Sequence, residues 1–491
     1  MKLDFDRYRD KVAACWIGKN IGGTMGGPYE HSRTLLDVRG FATEPGEPLP
    51  NDDLDLQLVW LHALENVGPQ HIDADTLGEL WLSFITPHWN EYGVAKANLM
   101  QGLRPGLTGD CHSTWKHSNG AWIRTEIWAC AAPALPALAA RYAIEDARVD
   151  HGCGEGTVAA AFVAAMQSAA FGGCRMEECI AVGMAAIPAD SRVAQSVRLV
   201  QECYRSGKEW TQARNAVQEQ NADIGTGWFE APSNVAYAVL GLLYGEGDFK
   251  RSMLTAINCG DDTDCTAATV GATMGLLYGT AGIPADWSAY IGDKIVTISL
   301  SRGTVGKSFP STCTELGDRI ARVAPAVLQY YSGRYDKHRP YTVTFGEEDI
   351  PADAAQLFTR AVEQAVQPLL DKAAPYTMEF SHTLLRAAVT LSAPRIAPGG
   401  SVDVHIEFSS RLYFENQPYT LALRWILPDG FTAQGERTVF LPGWDIHTDP
   451  VTGYDCTLTA GETVAATERV VLEVLPAGRH TALYISFVLM G

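Results

Sequence analysis

The sequence predicts a mostly α-helical protein that ends in a β-sandwich, and three observations predict it. Stretches such as DLQLVWLHALENV, GTVAAAFVAAMQSAAFGG and SNVAYAVLGLLYG repeat apolar residues at helical spacing between about residues 5 and 330. After roughly residue 385 the pattern alternates: Val402, Val404, Ile406 and Phe408 share one parity, and Leu421, Leu423 and Trp425 share another. The third observation is size, since 491 residues with 46% hydrophobic side chains suffice for a large core and a second unit. Three spans follow: an all-α domain with the functional site over 1–335, a connector over 336–384 holding RPYTVTFGEEDIP and an Ala-rich helix, and a β-sandwich over 385–491, packed on the helices and away from the site.

Charge and composition narrow the function. A net charge of −19 argues against a nucleic-acid backbone as partner and leaves room for a bound cation. The start, MKLDFDRYRDKVAA, has no apolar signal core, and the Ala-rich stretches are interrupted by Gln, Arg or Pro, so no membrane partner and a cytoplasmic location are expected. Eleven cysteines without a CxxC pair fit reduced thiols, most of them small apolar filler. Nothing in the pattern speaks to oligomeric state.

Two acidic helix entries carry the chemistry. NDDLDLQLVWL follows the loop-like EPGEPLP and places Asp52, Asp53 and Asp55 at the head of an apolar helix. GDDTDCTAATVGATMGLLYG places Asp261, Asp262 and Asp264 at the head of another. One carboxylate suffices to cap a helix, whereas three in a partly buried joint repel one another unless protonated or neutralised by a cation. If Asp52 and Asp53 meet Asp262 and Asp264, the four carboxylates suit oxygen-ligated divalent ions and not a thiolate or imidazole zinc site. Asp55 reads as the solvated member, and Gly271, Gly275 and Gly279 as a smooth packing face. GDCHSTWKHSNG gathers His112, Trp115 and His117 near Trp122, groups that can line a sugar or base pocket or be structural.

Five blocks in order, spanning roughly residues 10–300, resemble the ADP-ribosylglycohydrolase family. They are GGTMGGPYE at 22–30, NDDL at 51–54, SNGAWIR at 118–124, HGCGEGTVAAA at 151–161 and GDDTDCTAA at 260–268. The resemblance implies an orthogonal all-α fold with one or two Mg²⁺ ions, Mn²⁺ or Ca²⁺ being alternatives, held by Asp52, Asp53, Asp262 and Asp264. It adds Asn51 and Cys265 at ligand positions, Glu30 at the end of a Gly-rich loop or Asp53 as the catalytic carboxylate, and Asn119, Gly120, His151 and Glu155 as substrate contacts. The implied reaction is hydrolysis of an N- or O-glycosidic bond at C1 of an ADP-ribosyl group, free or protein-linked. The alternative is a glycosidase of the same fold acting on another ribosyl, nucleoside or carbohydrate glycoside.

Departures from the family pattern fall among the ligand positions. Gly23 stands where the family has Asp, Asn51 and Leu54 where it has Thr, and Cys265 where it has a hydroxyl. Asp261 replaces a glycine and can compensate for lost ligand charge. A thiol is a softer and poorer Mg²⁺ ligand than a hydroxyl, so the metal site and the substrate are where this chain is expected to differ.

Overall fold

Glycines at four-residue spacing decide how the principal helices meet. In the computed structural model, which describes residues 5–301, 309–331, 354–363, 366, 370, 376–410, 417–443 and 451–491, the first helix runs Phe5–Gly26 and another runs Thr263–Tyr278. A Cβ on Gly18, Gly22 or Gly26 would overlap the backbone of Gly271, Ala267 or Thr263 respectively, and one on Gly275 would overlap Ala14. The pairs descend on one helix as they ascend on the other, so the helices lie antiparallel with their backbones in contact. The expected packing face thus has its partner. The expected Gly-rich loop at 22–30 is instead the last turn of a helix, followed by a 3-10 turn over Gly27–Tyr29. Glycine is needed there for close approach rather than for a turn.

One hydrophobic core unites the helices. It includes Trp16 of the first helix, Trp60 of the Asp52–Asn66 helix, Trp81, Trp128 and the alanine-rich Glu155–Ala170 helix, all deeply buried. Leu357 and Ala361 of the Ala354–Glu363 helix join the same core. RPYTVTFGEEDIP lies outside the described residues.

Among the described residues nine strands follow: β1 (Thr377–Ser381), β2 (Leu385–Leu391), β3 (Ser401–Ser410), β4 (Tyr419–Ile426), β5 (Thr432–Gly435), β6 (Thr438–Leu441), β7 (Val451–Thr459), β8 (Thr467–Pro476) and β9 (Leu483–Met490). They form two antiparallel sheets, ordered β1-β2-β3-β7-β5 and β6-β4-β8-β9. The alternating residues of β3 are buried in the predicted parity, because a side chain changes face at every step along a strand. Buried residues of both sheets share one core, and Leu103, Leu107 and Cys111 from the helical part enter it. Arg104 lies 4.0 Å over the Phe380 ring at the same junction. Trp425 serves this core, donating to the Tyr454 hydroxyl at 3.0 Å and meeting Phe487 edge-on. Trp444, the other tryptophan considered for sugar binding, lies outside the described residues. Among the described residues no helix is long and apolar enough to cross a membrane.

Candidate active site

The antiparallel pair brings the end of the first helix to the head of the Thr263–Tyr278 helix, so Glu30 and the second aspartate cluster meet. The Asp52–Asn66 helix enters the same place. Single donor atoms of Glu30, Asp262 and Asp264 lie within 4.8 Å of one another, and so do those of Asp53, Asp264 and Cys265. The two sets share Asp264, which makes the arrangement continuous. It forms the floor of a cleft of about 560 Å³ lined by Glu30, Asp52, Asp262, Asp264 and Cys265, with Asn119 and Gly120 on one wall.

Hydrogen bonds hold Asp52, Asp53 and Asp262 without exhausting them. The Tyr92 hydroxyl donates to Asp52 Oδ2 at 3.0 Å, and the Cys265 thiol donates to Asp53 Oδ1 at 3.3 Å. Asn119 Nδ2 donates to Asp262 Oδ2 at 2.6 Å, and Trp122 Nε1 in turn donates to Asn119 Oδ1 at 2.9 Å. Asp53 Oδ2, Asp262 Oδ1 and Asp264 Oδ1 are buried and accept no hydrogen bond. Buried acceptors left unpaired are costly, and three of them in one cluster are relieved by protonation or by a positive partner.

Among the described residues, Lys19 brings a positive charge to this cluster. Lys19 Nζ stands 3.9 Å from Asp53 Oδ2, but it is closer to Glu126, at 3.1 Å, and donates to the Ile123 carbonyl at 2.7 Å. The charge excess therefore stays uncompensated. Burial first, then the charges of Asp264 and Asp52, pushes the Glu30 carboxyl up to about 8. Burial likewise holds Asp53 and Asp262 well above the usual carboxylate range, with Lys19 opposing at Asp53 and with Asp264 and Glu30 adding at Asp262. A hard divalent cation relieves all of these strains at once, and the donors present, mostly carboxylate oxygens, fit Mg²⁺, Mn²⁺ or Ca²⁺.

Two departures at the ligand positions are one structural change. Asn51 caps the Asp52–Asn66 helix, its Oδ1 accepting from Asp53 N at 2.8 Å, and its Nδ2 occupies the space a side chain at Gly23 would need. The structure thus gives the Asn51 oxygen a capping partner where a ligand was expected. Cys265 turns its sulfur toward Asp53 rather than into the helix core.

Several expectations need correction. Asp55 is fully buried, not solvated: its Oδ2 accepts from the backbone N–H groups of Ile298 and Ser299, both at 2.6 Å, and so fixes a segment whose Ile298 lines the cleft. Asp261 points away from the ligand cluster, its Oδ2 accepting from Asn234 at 3.1 Å. His151, expected to touch substrate, is fully buried behind Ser118, with its Nε2 3.1 Å from Ser118 Oγ and its Nδ1 2.9 Å from Asp150. Burial raises the Asp150 carboxyl, but Arg124 and then His151 overcome it and hold the group at about 2. Arg124 is likewise structural, paired with Asp146 and Asp150. Glu155, the other expected substrate contact, caps a neighbouring helix by accepting from the N–H groups of Arg192 and Val193, each at 3.0 Å. His117 accepts from Glu155 N, His112 contacts Arg395 and Trp122 is core, so none of the three lines the cleft.

Other cleft residues carried no sequence signal strong enough to single them out. Trp89, Glu91 and Tyr92 come from the HWNEYG turn, and Phe229 from the GTGWFE loop. A local concentration of aromatics beside an acid was the available clue in both stretches.

Fold and cleft together define a helical protein whose cleft floor is a cluster of acidic side chains that could hold a metal ion. Residues 4–337 match the family model for ADP-ribosylglycohydrolase. The chain belongs to that family, whose members are hydrolases of glycosidic bonds, and is an enzyme of that class. Among solved structures it is similar to an ADP-ribosylglycohydrolase-related protein complex, at 18% identity and a TM-score of 0.42, covering 66% of this chain and 98% of the other. It is also similar to a FixG-related protein from Vibrio parahaemolyticus, at 11% identity and a TM-score of 0.19, covering 22% and 97%. No curated protein matches it.

Proposed function

We propose that the chain is a divalent-cation-dependent hydrolase that cuts an N- or O-glycosidic bond at C1 of an ADP-ribose-like sugar. The observation that carries the reading is the set of buried, unpaired oxygens on Asp53, Asp262 and Asp264 at one cleft. With Asp52 these residues would hold one or two ions, Mg²⁺ being the first expectation. When bound, such an ion orients sugar hydroxyls and withdraws charge from them. Glu30 is the acid–base group: it opens onto the cleft with its side chain 36% exposed, while Asp53 is held between Lys19 and Cys265 at 1% exposure. A carboxyl open to the cleft in this way can give a proton to the departing nitrogen or oxygen and then recover one from the attacking water. Asn119 holds Asp262 in place, and Gly120 makes room on the wall beside it for the Glu91 carboxyl.

A second reading has its own support. The described cleft lining carries five acidic side chains and no Lys or Arg, which is a poor setting for a diphosphate and a better one for a nucleoside or other uncharged glycoside.

The test is to strip the protein with chelator, restore Mg²⁺, Mn²⁺ or Ca²⁺, and follow sugar release from ADP-ribosyl-arginine, O-acetyl-ADP-ribose and ribonucleosides. Cation-dependent release from either ADP-ribosyl probe supports the first reading, release from ribonucleosides alone supports the second, and cation-independent or absent release sinks both. Within either reading, Cys265→Thr is expected to tighten Mg²⁺ by about fivefold, since a hydroxyl is the harder donor. Unchanged affinity in a folded variant would show that the sulfur does not tune the ion.

A further inference from the structure

The helix Asn90–Met100 begins at the cleft with residues that the proposed reaction does not use. Glu91 is 6% exposed and lines the cleft, yet its Oε2 has no hydrogen-bond partner. Its Oε1 occupies the position a side chain on Gly120 would take, so glycine at 120 makes room for this carboxyl. The next residue, Tyr92, is committed to Asp52, which fixes the first turn of the helix relative to the acidic floor. Trp89, just before the helix, is 46% exposed on the same rim.

A buried acceptor with a vacant lone pair is expensive unless a ligand fills it. Beside an aromatic face, such an acceptor suits a sugar, whose hydroxyls donate while its C–H face stacks. A phosphate offers acceptors where Glu91 needs a donor, and when both are ionised they repel. We propose that Glu91 and Trp89 form a recognition subsite for an unphosphorylated, hydroxyl-bearing part of the glycoside. Glu91 accepts its O–H group and discriminates against phosphate. The inference rests on the second reading of this cleft, as a site for a nucleoside or other uncharged glycoside, and names the group by which that class is selected.

Calorimetric binding with Mg²⁺ present tests it. The probes are ADP-ribose and three neutral ribosides: adenosine, inosine and methyl β-D-ribofuranoside. Wild type is expected to bind at least one neutral probe more tightly than ADP-ribose. Glu91→Gln keeps the shape but removes the charge and places a donor in the cleft. It is expected to raise ADP-ribose affinity about tenfold and to weaken the neutral probe severalfold. Trp89→Ala, at an exposed position, is expected to weaken the neutral probe about tenfold without lowering the melting temperature. Tighter wild-type binding of ADP-ribose than of every neutral probe, or a ratio unmoved by Glu91→Gln, overturns the inference. A merely structural Glu91 would shift the melting temperature and leave that ratio alone. Bond cleavage with an unmoved ratio leaves the hydrolase reading standing, whereas a shifted ratio with no cleavage of any substrate removes that reading and keeps the subsite.

Discussion

Metal-free Asp264→Asn protein is expected to melt above metal-free wild type, to gain no stability from Mg²⁺ and to lose turnover by about a thousandfold. The two halves of this result have one cause. Asp264 belongs to both donor sets at the cleft floor, and its Oδ1 is buried without a partner. In the absence of a cation its charge pushes the carboxyls of Asp52, Asp53, Asp262 and Glu30 up, so neutralising it removes that strain and raises the melting temperature by about a few degrees. In the presence of a cation the same change removes the shared ligand, and stabilisation by mass action disappears. Thermal melts with and without Mg²⁺ decide the matter. A variant that melts below wild type when metal-free and still responds to Mg²⁺ would place the ion, if any, away from Asp264.

Gly22→Val is expected to prevent folding, at a cost above about 3 kcal/mol, a large fraction of a typical domain's stability. The new Cβ would coincide with the backbone of Ala267, which has no flexible side chain that can yield. Helix separation would then displace Glu30 from Asp262 and Asp264 together, since the contact that seats all three is this one. Gly40→Ala is the control, because a Cβ there meets nothing within 4 Å. Soluble expression and far-UV circular dichroism read the outcome. A folded, cooperative Gly22→Val protein would show that the two backbones can separate cheaply.

The pattern of local sequence was enough for some of this. Apolar periodicity marked the helices and strand alternation marked β3, because both arise from backbone geometry that neighbours in sequence share. The aspartate clusters were legible for a different reason: like charges at two apolar helix entries need protonation, hydrogen-bond donors or a counter-ion, wherever the fold places them. Motif position alone was a poorer guide to contact. His151 and Glu155 sit in a block that resembles the family's, yet one is sealed behind Ser118 and the other reaches sideways to the Arg192–Arg205 helix.

What the sequence by itself determined about this protein is its helical and strand segments, the family and the acidic character of the site. The tertiary structure alone decided which carboxylates are left wanting a partner. Asp55 and Asp53 are two residues apart on one helix, but the first is satisfied by the backbone of Ile298 and Ser299 while the second keeps a bare oxygen in the cluster. Glu91 reads in sequence as an ordinary acid at a helix start, and it becomes a cleft residue because Gly120, about 30 residues away, leaves space for it. Hydrogen-bond satisfaction and burial depend on atoms brought from distant parts of the chain, so local sequence carries no record of them.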